Sequence, residues 1–398
     1  MKKTVAMAAI LLVTPLNEHS AACAYHHEKE IDAVIQSALD TGQAAGFVVL
    51  VGTAREMLFC KAYGHRTRIP SPEPMREDTI FDVASLTKPV VTATAIMQLY
   101  QRGLIELDAP LARYLPAFFS HGKDAITIRQ LLQHRAGFIP DNPLEDYFLD
   151  NKPNKEHALE AIYNLELIYP PGTSYKYTDV GYILLGHLIE TITGQALEAY
   201  TQKHIFGPLG LNDTCFLSLY DVEGDPRKDR IAPTTLIKNT PDGPEFLAQG
   251  VVHDPRARAL GGAAGHAGLF STAQDLARFC QALMQASPRL GLLPDTVTLI
   301  TTADPSLPVD QLRTLGWDAW TPSPMGMGFS LAKGPFASPE SFCHVGFTGT
   351  SIAIDPTKDL FLIILSSRLH PVADDITSDI KNNVNNTRIA LANVVFQE

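Results

Sequence analysis

The feature that most constrains this chain is where its strand-like segments fall. Two lie near the start, AAGFVVLVG at 44–52 and EMLFCKAYG at 56–64, and two near the end, TSIAIDP at 350–356 and LFLIILSSR at 360–368. Each is a short apolar run bounded by turn residues, the signature of a half-buried or buried strand. Between about 110 and 215 the period changes. LEAIYNLELIY, VGYILLGHLIETITG and ALEAYTQKHIFGPLG place apolar residues at helical spacing. TAQDLARFCQALMQ (272–285) reads as a helix capped by Thr272, and ALANVVF as a closing helix on the sheet. Thr127 stands ahead of another helical pattern in ITIRQLLQHRAGF. A chain that starts and ends in strands and is helical between them predicts an α+β fold, an α/β sandwich. Its antiparallel sheet, flanked by helices, is built from both chain ends, with a mostly helical region inserted. The expected division is 25–110 plus 255–398 for the α/β part and 111–254 for the helical region. The site is expected in the cleft between them. At 398 residues and 45% hydrophobic content, there is ample apolar material for a large core.

Residues 1–24 read as an export signal. MKK is basic, TVAMAAILLVTPL is apolar but too short to span a bilayer, and small residues follow near Ala22 and Ala24. Cleavage after Ala24 fits the A-x-A pattern. The alternative is lipid attachment at Cys23, for which Ser20 stands where a large aliphatic residue is usual. The expectation is an exported protein, periplasmic or extracellular, touching a membrane only if Cys23 carries lipid. The formal charge is −11, and −12 without the first 24 residues, with no basic run. That argues against a nucleic-acid partner. Five cysteines lie far apart with no C-x-x-C pair, so no zinc or redox motif is present, and no metal or cofactor is expected. Apolar neighbours suggest buried thiols at Cys60 and Cys280, and a disulfide stays open. HHEKE at 26–30 lacks metal-ligand spacing and reads as a solvated start to the mature chain.

Chemistry concentrates in FDVASLTKPVV, residues 81–91. Ser85 precedes Lys88 by three residues, the spacing that puts two side chains on one helical face. Ser-x-x-Lys also occurs at Ser120/Lys123, Ser330/Lys333 and Ser378/Lys381. Those three sit in polar or Gly/Pro-bounded stretches. Only Ser85 opens a long apolar run, VVTATAIMQLYQRG, and Pro89 requires the helix to begin close by. A serine needs a base to become a nucleophile. The sequence has no G-x-S-x-G elbow, no H-E-x-x-H and no G-x-x-x-x-G-K-[ST], so Lys88 is the natural activator. A helix N-terminal amide at Ser85 can help hold an oxyanion.

Two further segments, PGTSYKYTDVGYILLG (171–186) and HVGFTGTSIAIDP (344–356), complete a recognisable order. With FDVASLTKPVV they resemble the class C β-lactamase and penicillin-binding-protein-like serine hydrolases and their esterase relatives. Ser-x-x-Lys, then Tyr-x-Asn, then Lys-Thr-Gly or His-x-Gly follow in the family's sequence order, from about residue 40 to the end. The resemblance implies a β-lactamase/transpeptidase-like fold and acyl-enzyme chemistry. It makes Ser85 the nucleophile, Lys88 the general base or proton relay, and Tyr177 the residue that passes the proton to the leaving group. Tyr175 and Tyr182 lie close by, and register favours Tyr177. His344 and Gly346 fall on the third motif, on an edge strand, and the N–H groups of Ser85 and Phe347 would form the oxyanion hole.

Two positions depart from the pattern. Asp179 stands where the family usually has asparagine. An ionised carboxylate cannot donate to a substrate carbonyl, so Asp179 should pair with Lys88 or accept from the substrate. His344 stands in place of lysine, so a fixed cation becomes a group that titrates near neutrality. If His344 binds a substrate anion as imidazolium, KM should worsen as pH rises. VVHDPRARALGGAAGHAGLFSTAQDLARF (251–279) resembles the family's cell-wall branch of D-alanyl-D-alanine carboxypeptidase-like proteins and muramoyl-peptide amidases. His253, Asp254 and His266 there either line the pocket or serve structure, His266 in a glycine turn and Asp254 as a cap. His134 reads as structural. The expected substrate is a small molecule or a peptidoglycan stem peptide or muropeptide. A small-ester carboxylesterase and a slowly deacylating penicillin-binding sensor are the alternatives. The oligomeric state is open.

Overall fold

The computed structural model describes residues 25–118, 122–217, 224–237, 246–320, 337–370 and 378–397. The expected signal peptide with Cys23, the serines Ser120 and Ser330, and parts of the Pro/Gly-rich 219–262 and 303–340 stretches lie outside these residues.

A helix α1 (Glu28–Asp40) leads into strands β1 (Gly46–Gly52), β2 (Met57–Thr67) and the short β3 (Glu73–Pro74). After a long excursion come β4 (Asp318–Ala319), β5 (Phe342–Val345), β6 (Ser351–Asp355) and β7 (Leu360–Ser366). They form one sheet in the order β4-β5-β6-β7-β1-β2-β3, every neighbouring pair antiparallel. The sheet is therefore built from both ends of the chain, as the strand distribution predicts. The join is β1 on β7, registered Phe47 to Ser366 through Gly52 to Phe361.

The two-residue period of β1 divides its side chains between two layers. Phe47, Val49 and Val51 pack with Ile31 and Ile35 of α1 and with Leu391 and Val395 of α2 (Ser378–Phe396). Val48 and Leu50 face the larger core, which takes in Ile363 and Leu365 of β7 and Leu276 and Phe279 of the helix Ala273–Met284. Helices on both faces of an antiparallel sheet make the expected sandwich.

The stretch read as a solvated start, residues 26–30, is exposed or half-buried, and from Glu28 onward it also opens α1. Ile31, Ile35 and Ala38 recur at helical spacing and are buried. Lys61 and Tyr63 of β2 both reach the Asp32 carboxylate, at 2.8 and 2.7 Å, and tie α1 to the sheet.

The central region is helical only in part. Helices cover Ile128–Leu132, Lys155–Asn164 and Val180–Thr193, joined by single turns and a small hairpin of Phe148–Leu149 with Lys152–Pro153. Thr127 caps the first of these in a full capping box with Gln130, and Thr272 caps Ala273–Met284 by accepting from Asp275 N–H. The four described cysteines are free. Cys280 is buried, whereas Cys60 is only half-buried, with its thiol pushed up to about 12 by burial. No helix among the described residues is long and apolar enough to cross a membrane.

Candidate active site

Ser85 sits where a two-residue strand, Phe81–Asp82, turns sharply into a helix. Ala84 takes a left-handed φ of 48°, strained for a residue with a Cβ, and costs about 1 kcal/mol. The strain is held from several sides. Asp82 accepts the Ala84 N–H at 2.9 Å and the His253 N–H at 2.7 Å. The hydroxyls of Thr348 and Thr350 donate to the carbonyls of Asp82 and Val83, at 2.7 and 3.0 Å. The turn after β5 is thereby fastened to the backbone that presents Ser85. Asp82 is buried, and burial raises its carboxyl to about 6 despite the two N–H bonds.

Beyond Ser85 the chain winds as a π-helical stretch, Lys88–Ala93, before continuing as the α-helix Thr94–Gln101. Such widened turns often occur at functional sites. Lys88 is fully buried, and its Nζ lies 3.0 Å from Ser85 Oγ, 3.0 Å from the His266 carbonyl and 2.6 Å from Asp179 Oδ1. The pairing of Asp179 with Lys88 expected from the Asn-to-Asp departure is present. Tyr177 hydrogen-bonds the same serine side chain. Its ring lies 4.9 Å from Lys88 Nζ. Burial, then the Asp179 charge, hold the Tyr177 phenol well above its ordinary value, and the Ser85 bond opposes them.

His134 does more than fill space. With φ 57° it sits in the left-handed region, its Nδ1 accepts the Thr178 N–H at 3.2 Å, and its carbonyl accepts Lys176 N–H at 3.0 Å. It therefore grips the chain on both sides of Tyr177, and its ring packs 4.4 Å from the Tyr177 ring.

Gly346 passes so close to the Ser85 turn that a Cβ would overlap the Thr350 hydroxyl and come within 2.6 Å of the Val83 carbonyl. This close approach brings the Phe347 segment beside Ser85. Among the described residues no hydrogen bond takes the N–H of either Ser85 or Phe347, so both are free to hold an oxyanion. From behind, Arg388 donates to the carbonyls of Gly346 and Thr350, each at 2.9 Å. The Phe347 ring is partly exposed, stacks on His253 at 5.3 Å and lies over the Arg368 guanidinium at 4.5 Å.

His344 is placed in the site, but not with the charge the sequence suggests. It is fully buried, and burial, Lys88 and Arg313, in that order, hold its ring well below its ordinary value. Nδ1 lies 3.0 Å from the Val345 carbonyl, while Nε2 is buried without a partner. Burial and the neighbouring cations thus oppose the imidazolium expected from the sequence. β5 is also one strand in from the edge, because β4 covers Phe342 and Cys343.

His266 is buried, with Nε2 2.9 Å from Asp254 Oδ1, and Asp254 caps Pro255–Ala259 by accepting Ala257 N–H at 2.7 Å. Its glycine turn thus serves structure, yet its carbonyl binds Lys88. Asp179, Asp254 and His266 bring ligand-type atoms within 4.8 Å of one another. That is a metal-like spacing, but Lys88 already pairs with Asp179, and His266 with Asp254. Asp82, Thr348, Thr350 and Arg388 carry no motif signal. Their parts are visible only once distant segments meet.

A serine hydroxyl bonded to both an ammonium and a phenol, beside two free N–H groups, is equipped for acyl transfer. Comparison with known proteins agrees. Residues 31–383 match the family described as Beta-lactamase. A protein from Salmonella enteritidis PT4 named "Putative D-alanyl-D-alanine carboxypeptidase" is 33% identical over 370 residues, 86% of this chain and 83% of that protein. Among solved structures, "EstCE1, a hydrolase with promiscuous acyltransferase activity" superposes with TM-score 0.69 at 21% identity, covering 91% of this chain and 98% of that one. A class C β-lactamase from Rhodobacter sphaeroides gives TM-score 0.66 at 20% identity, over 92% and 99%. At these identities the structural likenesses speak for the fold. The family match and the sequence relative carry the rest: this chain belongs to the Beta-lactamase family and is a serine hydrolase.

Proposed function

We propose that this serine hydrolase acts outside the cytoplasm on peptidoglycan stem peptides or muropeptides, through an acyl-enzyme on Ser85. The observation that carries the reading is the double engagement of the Ser85 hydroxyl, by Lys88 Nζ at 3.0 Å and by Tyr177. Ser85 Oγ attacks the substrate carbonyl. The N–H groups of Ser85 and Phe347 hold the developing oxyanion. The Ser85 proton passes into the Lys88–Tyr177 pair as Oγ attacks, and the Tyr177 hydroxyl hands a proton on to the leaving amine and is refilled by it, so no phenolate is left. Water then cleaves the ester. The substrate class is supported by the name of the Salmonella relative, and export by the basic-apolar-small start of the sequence.

A neutral His344 offers no cation to a substrate carboxylate, and this favours a second reading, hydrolysis of small acyl esters. Soluble muropeptides incubated with the protein and with Ser85→Ala, followed by chromatography with mass detection, separate the two. Loss of a terminal D-alanine or release of a stem peptide only with the native serine supports wall chemistry. Unchanged muropeptides, with Ser85-dependent turnover of short p-nitrophenyl esters, support the ester reading.

A further inference from the structure

Lys88 has three N–H donors and faces three acceptors: Ser85 Oγ, the His266 carbonyl and Asp179 Oδ1. Ion-paired with the Asp179 carboxylate, Nζ is an ammonium and has no lone pair to offer the serine. Tyr177 is a poor alternative, because burial and the Asp179 charge make its phenolate costly. Both groups that touch the serine can pass a proton, but neither is arranged to keep one. The carboxylate 2.6 Å beyond Lys88 is. We propose that Asp179 is the terminal proton acceptor when Ser85 attacks, working through Lys88.

The step balances without another reagent. One Nζ–H bond breaks first and that proton binds Asp179 Oδ1, leaving Nζ a neutral amine. Rotation about Cε–Nζ turns the freed lone pair to Ser85, whose Oγ–H bond breaks and whose proton binds Nζ. Lys88 remains an ammonium, Asp179 becomes a carboxylic acid, and the serine oxygen's electron pair forms the new bond to the acyl carbon. The carbonyl π pair moves onto its oxygen, under the free N–H groups. When the tetrahedral species collapses, the proton stored on Asp179 returns through Lys88 and the Tyr177 hydroxyl to the leaving atom. An asparagine at this position has no site to hold that proton.

The surroundings favour storing a proton here. Asp141 and Asp254 face the same spot, and the Asp141 carboxyl is raised by burial and then by the Asp179 charge. Negative charge is crowded at this point. Arg256 stands 3.8 Å from Asp141, and His266 pairs with Asp254 at 2.9 Å, so each neighbouring carboxylate has its own partner. Asp179 has Lys88 alone as its ion-pair partner among the described residues. Among the described residues His134, Tyr175, Tyr182, His344 and Arg313 also face Lys88 or Tyr177.

The proposal rests on Ser85 being the nucleophile, and one experiment separates the two claims. The protein, Asp179→Asn and Ser85→Ala are labelled with a fluorophosphonate from pH 6 to 9, with rates read by intact mass. Fluoride leaves without a proton, so the rate reports serine activation alone. The native protein should label at a nearly constant rate. Asp179→Asn must use the Lys88 amine as its base, so it should be about 100-fold slower at pH 6 and climb about tenfold per pH unit. A variant slowed by one factor at every pH, as loss of a structural ion pair would give, overturns the relay. So does a variant with the native rate. An unlabelled native protein, or label that survives Ser85→Ala, overturns the nucleophile assignment and the relay with it. Should Asp179→Asn not fold, Asp179→Ser, which likewise cannot hold the proton, is labelled over the same pH range and judged by the same outcomes.

Discussion

Replacing Gly346 with alanine tests whether the close approach of the turn after β5 builds the oxyanion site. The backbone there needs no left-handed conformation, so the effect is one of space alone. The added methyl would overlap the Thr350 hydroxyl and stand 2.6 Å from the Val83 carbonyl. Rotating Thr350 away forfeits its 3.0 Å bond to Val83, worth about 1 kcal/mol. The Val83 carbonyl is backbone, two residues before the nucleophile, and must recede by about 0.8 Å to reach ordinary contact. Overpacking of this kind adds about 1–3 kcal/mol, for a total of about 2–4 kcal/mol. The same displacement stretches a donor contact of about 2.9 Å beyond hydrogen-bond range. Losing one oxyanion donor lowers kcat by about 100- to 1,000-fold. The assay is p-nitrophenyl acetate hydrolysis with kcat and KM separated, beside a thermal melt. A folded Gly346→Ala protein within twofold of the native kcat would refute the argument that this turn supplies a donor.

Three further outcomes follow from the same geometry. Asp82 holds its proton up to about pH 6, where the unfolded chain has already lost it near 3.8, so this group removes up to about 3 kcal/mol of stability as pH rises from 4 to 6. Asp82→Asn should lack that slope, and parallel melting curves for the two proteins from pH 4 to 7 would contradict it. Because His344 stays neutral, KM for a stem peptide with a free carboxylate should stay within about threefold from pH 5 to 9, and a tenfold rise across pH 6–7 would show that the ring charges. Arg388→Met removes two charge-assisted bonds from carbonyls that each keep one backbone N–H donor, and should lower stability by about 1–3 kcal/mol, read by denaturant unfolding; a native midpoint would sink the claim.

How much of this was legible beforehand depended on distance along the chain. Ser85 and Lys88 are three residues apart, and helical geometry alone nearly fixes their contact. The sheet was legible because a period of two is local to each strand. The Asp179–Lys88 pair needed the family resemblance to bring two segments together, after which simple charge logic predicted it. The state of His344 was not legible. A histidine's charge depends on what surrounds it, and Lys88 and Arg313 come from other segments. Asp82, Thr348 and Thr350 were silent for a similar reason: a threonine whose task is to hold a distant carbonyl has no spacing to betray it. Helix α1 was missed although Ile31, Ile35 and Ala38 announce it, because the polar HHEKE stretch drew attention from the apolar period behind it.

The pairing of β1 with β7 also bears on how the protein folds. Phe47 meets Ser366, so the strand made first waits for the strand made nearly last. Contacts of such sequence separation make folding slow, since the loop must close before any pairing rewards it. The Thr348 and Thr350 clamps on the serine turn arrive with that late segment. A partly synthesised or C-terminally clipped chain would carry Ser85 and Lys88 but not the clamps. If Ser85 is the nucleophile proposed above, it is armed only once β7 has closed on β1, and truncation should disarm it well before it dissolves the helical half.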